Sequence, residues 1–132
     1  MDWPFLFVLG ALAGALFLFQ RLAFVRPEIA RRHLAAGALV IDVRSPEEFR
    51  AGHLPQAVSL DLAVLREDLP RLVPDRNRVL LLHCLSGGRS ALGRRVARNL
   101  GYAQVFNLGS LGRARRIVAQ ANRQGGQIRD PA

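Results

Sequence analysis

Apolar residues along this chain fall into one long unbroken block and then a series of short ones. The block runs from Trp3 to Phe19 without a charged or strongly polar side chain. As a helix it extends about 26 Å, slightly short of the roughly 30 Å hydrocarbon core of a bilayer. Gln20 and Arg21 can snorkel, Leu22 to Val25 continue the apolar character, and Trp3 suits the opposite interface. The pattern predicts a transmembrane helix over residues 3–24. A cleavable signal peptide would want positive charge before its apolar core, where only Met1 and Asp2 stand. An uncleaved anchor is the better reading.

Beyond the anchor, short apolar runs alternate with amphipathic stretches. Pro27 suits the first turn of a helix reaching about Ala36, closed by Gly37. Residues 38–43 read as a strand buried on both faces. Ser45-Pro46-Glu47-Glu48 then has the form of a capping box, with proline at the first helical position and an acid three residues after the cap, opening a helix to about Gly52. Ala57 to Leu60 is a candidate strand. Asp61 can cap a helix with Leu62, Leu65 and Leu69 on one face before Pro70 and Pro74 break it. Arg78 to His83 is the most strand-like stretch, Ser90 to Leu100 a helix stopped by Gly101, and Val105 to Leu108 a further strand. A last helix, from about Leu111 to Asn122, has Leu111, Ala114, Ile117, Val118 and Ala121 on one side. The alternation predicts an α/β fold, a parallel central sheet with helices on both faces. The expected organisation is an anchor at 1–25, one domain at 26–124 and a flexible tail at 125–132.

Composition refines the picture in two places. The formal net charge is +9, and every basic residue is arginine. Arg21, Arg26, Arg31 and Arg32 follow the apolar block, which places the C-terminal side in the cytoplasm, by expectation at a bacterial inner membrane. The basic residues are scattered with few aromatics among them, so nucleic-acid binding is not expected. Gly10 and Gly14, flanked by Ala11 and Ala15, are spaced for close approach of two helices, which leaves an anchor-mediated homodimer open.

The single cysteine, Cys84, excludes an internal disulfide. It stands in Cys84-Leu85-Ser86-Gly87-Gly88-Arg89, between a strand ending in His83 and a helix beginning at Ser90. Main-chain N–H groups of such a loop, with those of the first helical turn, can surround the sulfur and favour negative charge there. A free thiol, with a pKa of about 8.5, is only about 3% thiolate at neutral pH; lowering the pKa by about two makes it roughly three-quarters thiolate. Asp42 ends a strand as Cys84 does, so both are expected in the crevice beyond the carboxyl ends of the sheet.

With these residues in view the chain resembles the rhodanese (sulfurtransferase) domains over about residues 26–122. The resemblance rests on Val40-Ile41-Asp42-Val43-Arg44-Ser45-Pro46-Glu47-Glu48-Phe49, on Gly52-His53-Leu54-Pro55-Gln56-Ala57, on the loop from His83 to Ser90, and on Val105-Phe106-Asn107-Leu108-Gly109. It implies that Cys84 is catalytic, taking a sulfane sulfur from a donor such as thiosulfate and passing it from a persulfide to a thiol or to cyanide. Leu85, Ser86, Gly87, Gly88 and Arg89 would cradle the sulfur, with Asp42 and Ser90 in support. Arg89 would brace the loop against Asp42 or Glu48. Arg44 would steer an anionic donor, or else pair structurally with Asp42. His53 belongs to a structural turn of the family, and no metal or cofactor is implied.

The chain departs from the family pattern at Gln56 and Ser110, where glycine is usual, and in its uncharged loop residues Leu85 to Gly88. A persulfide or polysulfide donor is as compatible as thiosulfate. The related dual-specificity phosphatases place five residues between cysteine and arginine where this chain has four, which fits a single sulfur better than a phosphate. Two functions thus remain beside the phosphatase: a membrane-tethered sulfurtransferase, and a binding or sulfur-sensing module that recruits a partner at the membrane.

Overall fold

A computed structural model describes residues 2–125, the side chains at 20–22 excepted. Four strands, β1 (Leu39–Asp42), β2 (Ala57–Ser59), β3 (Leu80–His83) and β4 (Val105–Gly109), form one sheet in the order β2-β1-β3-β4, every pair parallel. Among the described residues six α-helices accompany them: α1 (Trp3–Ala23), α2 (Pro27–Ala35), α3 (Pro46–Ala51), α4 (Leu65–Leu72), α5 (Gly88–Asn99) and α6 (Leu111–Gly125), with a 3-10 turn at Leu62–Val64 leading into α4. The α/β architecture is the one the alternating pattern predicts.

Every residue of β1 and of β3 is buried, because helices cover both faces and successive side chains point to opposite ones. On one face Val40, Leu81 and Leu108 pack with Ala30 and Leu34 of α2 and with Ala114, Ile117 and Val118 of α6. On the other, Ile41, Leu80 and Leu82 pack with Leu65 and Leu69 of α4 and Ala97 of α5. The chain order reverses between β1 and β3, which are hydrogen-bonded neighbours with Asp42 opposite His83. Their carboxyl ends form the crevice where parallel sheets place ligands.

Local signals hold closely. The capping box at Ser45 is made in full: its side chain accepts from the Glu48 N–H while the Glu48 carboxylate accepts from the Ser45 N–H. Gly37 closes α2 at φ +93°. Two of the boundaries that differ have a clear physical cause. Pro70 lies inside α4 rather than ending it. The proline removes one intrahelical bond, but Leu65 and Leu69 are fully buried and hold the helix to the sheet. Helix α5 begins at Gly88, two residues before Ser90, since Gly87 at φ +103° turns the chain directly into it.

Helix α1 presents its large apolar side chains, Trp3 through Phe19, to the exterior. Among the described residues no helix is long and apolar enough to cross a membrane; the transmembrane anchor expected over residues 3–24 is not shown. The side chains of Gln20 and Arg21 lie outside the described residues, as does the expected tail apart from Gly125. Past α1, Val25 is buried in the core, and its N–H donates to the Asn107 carbonyl at 2.9 Å. Phe24 also turns onto the domain instead of extending the helix.

Candidate active site

Cys84 follows β3 directly, and its own N–H donates to the Gly109 carbonyl at 3.2 Å, which ties the loop to the end of β4. The Gly87 N–H donates to Sγ at 3.0 Å, and the Ser90 hydroxyl stands 3.5 Å from it. Cys84 is completely buried. Burial alone would push the thiol pKa up, but bonds from the Ser90 hydroxyl and from the Ser90, Gly87 and Ser86 amides outweigh it, and the net direction is down. The loop therefore stabilises a sulfur anion within a low-dielectric interior. Of the other loop residues, Leu85, Ser86 and Gly88 are exposed.

Gly87 has a structural need to be glycine. A Cβ there would lie 2.6 Å from Phe24 Cζ and 3.3 Å from Gly109 Cα, in a left-handed conformation besides. Gly109, at φ +92°, is under the same ring, 3.1 Å from where its Cβ would be. Ser86 bridges to Ser110, and the Leu111 N–H donates to the Leu85 carbonyl at 3.3 Å.

Arg89 is engaged by Glu48. Its guanidinium makes a two-pronged contact with Glu48, Nη1 to Oε1 at 2.7 Å and Nη2 to Oε2 at 3.0 Å. The hydrogen bonds from Arg89, aided by those at Ser45, hold the Glu48 carboxyl down to about 2. Helix α3 and the cysteine loop are thereby braced together. Arg44 is likewise committed: Nε and Nη2 grip Asp42, with Nη2 to Oδ2 at 2.7 Å, and Nη2 also donates to the Gly52 carbonyl at 2.8 Å. Both partners are buried. The pair fixes the carboxyl end of β1, and nothing in this arrangement turns the Arg44 guanidinium toward the thiol.

Asn107 was not legible as a site residue. It is buried in β4; its Oδ1 accepts from the Ser90 hydroxyl at 2.7 Å and from the Gly109 N–H at 2.9 Å, while Nδ2 donates to the Gly87 carbonyl at 3.1 Å. One amide thus fixes three parts of the cradle. Its only sequence signal is a polar residue inside the apolar run Val-Phe-Asn-Leu. His53 stacks on Phe49 with ring centroids 3.6 Å apart and donates from Nδ1 to the Phe49 carbonyl at 2.7 Å.

His83 is wholly buried beneath the loop, its Nε2 without a hydrogen-bond partner and 3.9 Å from Asp42 Oδ2. Burial holds its pKa below the ordinary value, so the folded protein keeps it neutral. An unfolded chain binds that proton more readily, and stability falls as pH drops. The thermal midpoint is expected to be flat above the ordinary histidine value of 6.5 and to decline below it. A second decline is expected below 4.5, as Glu48 protonates in the unfolded chain before the folded one at about 2. Melts of wild type and His83→Leu across this range check the assignment: the variant should lose the upper step and keep the lower.

Comparison with known proteins agrees with this geometry. The model of the rhodanese-like domain family matches residues 26–111. The thiosulfate sulfurtransferase PspE of Escherichia coli is 31% identical over 90 residues, spanning 68% of this chain and 81% of PspE. The thiosulfate sulfurtransferase GlpE of Stutzerimonas stutzeri is 29% identical over 64% of this chain and 75% of its own. Among solved structures, the human single-domain sulfurtransferase TSTD1 superposes with a TM-score of 0.57 at 28% identity, over 68% of this chain and 89% of TSTD1.

Proposed function

Since the chain belongs to the rhodanese-like domain family, we propose that it is a sulfurtransferase working through a persulfide on Cys84. The observation that carries this reading is the Gly87 N–H aimed at Sγ from 3.0 Å, together with a thiol pKa lowered despite complete burial. The Cys84 thiolate attacks the outer sulfur of a donor such as thiosulfate. The donor's S–S bond breaks, and sulfite leaves with the electron pair. The resulting Cys84 persulfide anion is held by the Ser86, Gly87 and Ser90 amides. Cyanide or a thiolate then attacks the outer sulfur, the cysteine–sulfur bond breaks, and the Cys84 thiolate is restored as thiocyanate or a new persulfide departs. The reaction follows ping-pong kinetics. No metal or cofactor takes part in either displacement.

Arg89 serves by bracing the loop against Glu48, and Arg44 with Asp42 by fixing the end of β1. Because the sulfur is sealed in this conformation, transfer requires the loop to open, and Leu85 and Ser86 are the residues beside Cys84 that face solvent. Intact-mass measurement after thiosulfate treatment tests the proposal. One added sulfur on Cys84, removed by cyanide with release of thiocyanate, is expected; its absence with every sulfane donor would overturn it.

The same sealed thiol favours a second reading, a binding module whose fold recruits a partner without turning over sulfur. In that case a partner co-purifies equally with wild type and with a cysteine-free variant.

The enzyme is further proposed to work at a membrane, tethered by α1 with the domain on the cytoplasmic side. The charge-free run from Trp3 to Phe19, its exposed large side chains, and the arginines at 21, 26, 31 and 32 support this reading. Resistance to alkaline extraction, with protease access from the cytoplasmic side only, is its test.

A further inference from the structure

The outer side of the cysteine loop borders a cavity of about 640 Å³, whose lining includes Phe17 of α1, Phe24 and Pro27 where α1 gives way to α2, Ser86 of the loop, and Arg26 and Arg116. Its size lies within the roughly 300–1,000 Å³ of ordinary ligand sites. Only a thin wall separates it from the sulfur. The Ser86 and Gly87 amides favour the Sγ anion from within, Gly87 donating to it at 3.0 Å. From without, Ser86 lines the cavity, and the Phe24 ring covers Gly87 so closely that a Cβ there would lie 2.6 Å from Cζ. Leu85, next to Cys84, is apolar and 57% exposed.

The lining has two characters. Phe17, Phe24 and Pro27 make an apolar wall, while the basic residues give positive charge with no carboxylate among them. Sulfane donors are anions, so the arginines favour their approach whatever body they carry. Thiosulfate is compact and charged throughout, and it would leave the apolar wall unused. A donor whose terminal sulfur is carried on a hydrocarbon body uses both parts, with its anionic head toward the loop and its body removed from water against the rings.

We propose that this cavity is the donor subsite of the sulfur-transfer reaction and selects organic sulfane donors, an anionic terminal sulfur on an apolar body, with Phe17 and Phe24 setting the preference. The inference rests on the Cys84 persulfide reading. With an organic thiosulfonate, the Cys84 thiolate attacks the terminal sulfur and the donor's S–S bond breaks. The sulfinate leaves with the electron pair and the apolar body, and the terminal sulfur stays on Cys84 as a persulfide anion.

The full chain, purified in a non-ionic detergent, is mixed with benzenethiosulfonate or methanethiosulfonate, and persulfide formation on Cys84 is followed in time by intact mass. The rate-constant ratio of the two donors is divided by the same ratio for free cysteine thiolate, which cancels their intrinsic reactivities. The normalised ratio is expected to favour the phenyl donor by about tenfold or more. Phe24→Leu and Phe17→Ala should each lower it by about threefold or more. Phe17 lies on the exposed surface of α1, so its variant gives an answer even if Phe24→Leu disturbs the loop. Phe7→Ala, exposed elsewhere on α1, should leave the ratio as it is, and Arg26→Gln/Arg116→Gln should slow both donors alike. A normalised ratio near one in wild type, or a preference that survives both phenylalanine substitutions, overturns the subsite alone. Failure of Cys84 to load from any donor overturns the sulfurtransferase reading and the donor role with it.

Discussion

Replacing Cys84 with serine will lower thiosulfate–cyanide turnover by at least about 10³-fold while moving the thermal midpoint by no more than about 5 °C. The loss follows from chemistry rather than shape. A serine hydroxyl is far less ionised than a thiol in the same place and forms no persulfide. Cys84 is the only cysteine in the chain, so no neighbouring thiol can take over. The fold should tolerate the change because the Gly87 N–H and the Ser90 hydroxyl that face Sγ offer a serine oxygen the same partners. Thiocyanate production and a melt on one preparation decide the matter. Residual turnover near the wild-type rate would place the sulfur carrier elsewhere.

Asp42→Ala should produce the largest loss of stability, about 3–5 kcal/mol. Removing the carboxylate strands the Arg44 guanidinium, which is buried and keeps only the Gly52 carbonyl as an acceptor. With Asp42 gone the bonds that raise the Arg44 pKa go too, but an arginine keeps its proton in proteins in any case, so shedding it is no escape. Against a typical domain stability of about 5–15 kcal/mol, such a loss leaves a substantial unfolded fraction at growth temperature. Urea unfolding of the single variant and of Asp42→Ala/Arg44→Leu separates the causes. The double variant should recover part of the deficit, since an apolar side chain at position 44 leaves no unpaired charge. If both variants fall equally, the cost lies in the strand end and not in the orphaned cation.

The sheet and the cysteine loop were legible because their signals are local. Buried parallel strands read as apolar runs, and the runs at Leu39 to Asp42 and Leu80 to His83 are hardly interrupted. The capping box at Ser45 needs only four consecutive residues, and Gly87 and Gly88 mark a turn by their conformational freedom. The organisation around the sulfur was harder to foresee, since it depends on residues distant in the chain. Asn107 meets Ser90 across 17 positions and Gly87 across 20, and one asparagine in a strand carries no hint of its partners. Arg89 had two candidate acids, and the choice of Glu48 follows from where α3 sets that side chain. Pro70 misled because the propensity rule is local, whereas the burial of Leu65 and Leu69 that keeps α4 in place is tertiary.

The aromatic ring that follows α1 has a practical consequence. Phe24 packs on Gly87 and Gly109, and Val25 belongs to the domain's interior. Trimming the protein to the family-matched region, from Arg26 onward, would unroof the glycines that shape the sulfur pocket and cut a main-chain bond to Asn107. A soluble version made for assay should begin ahead of Phe24, or a weakened catalyst could be mistaken for an inactive one.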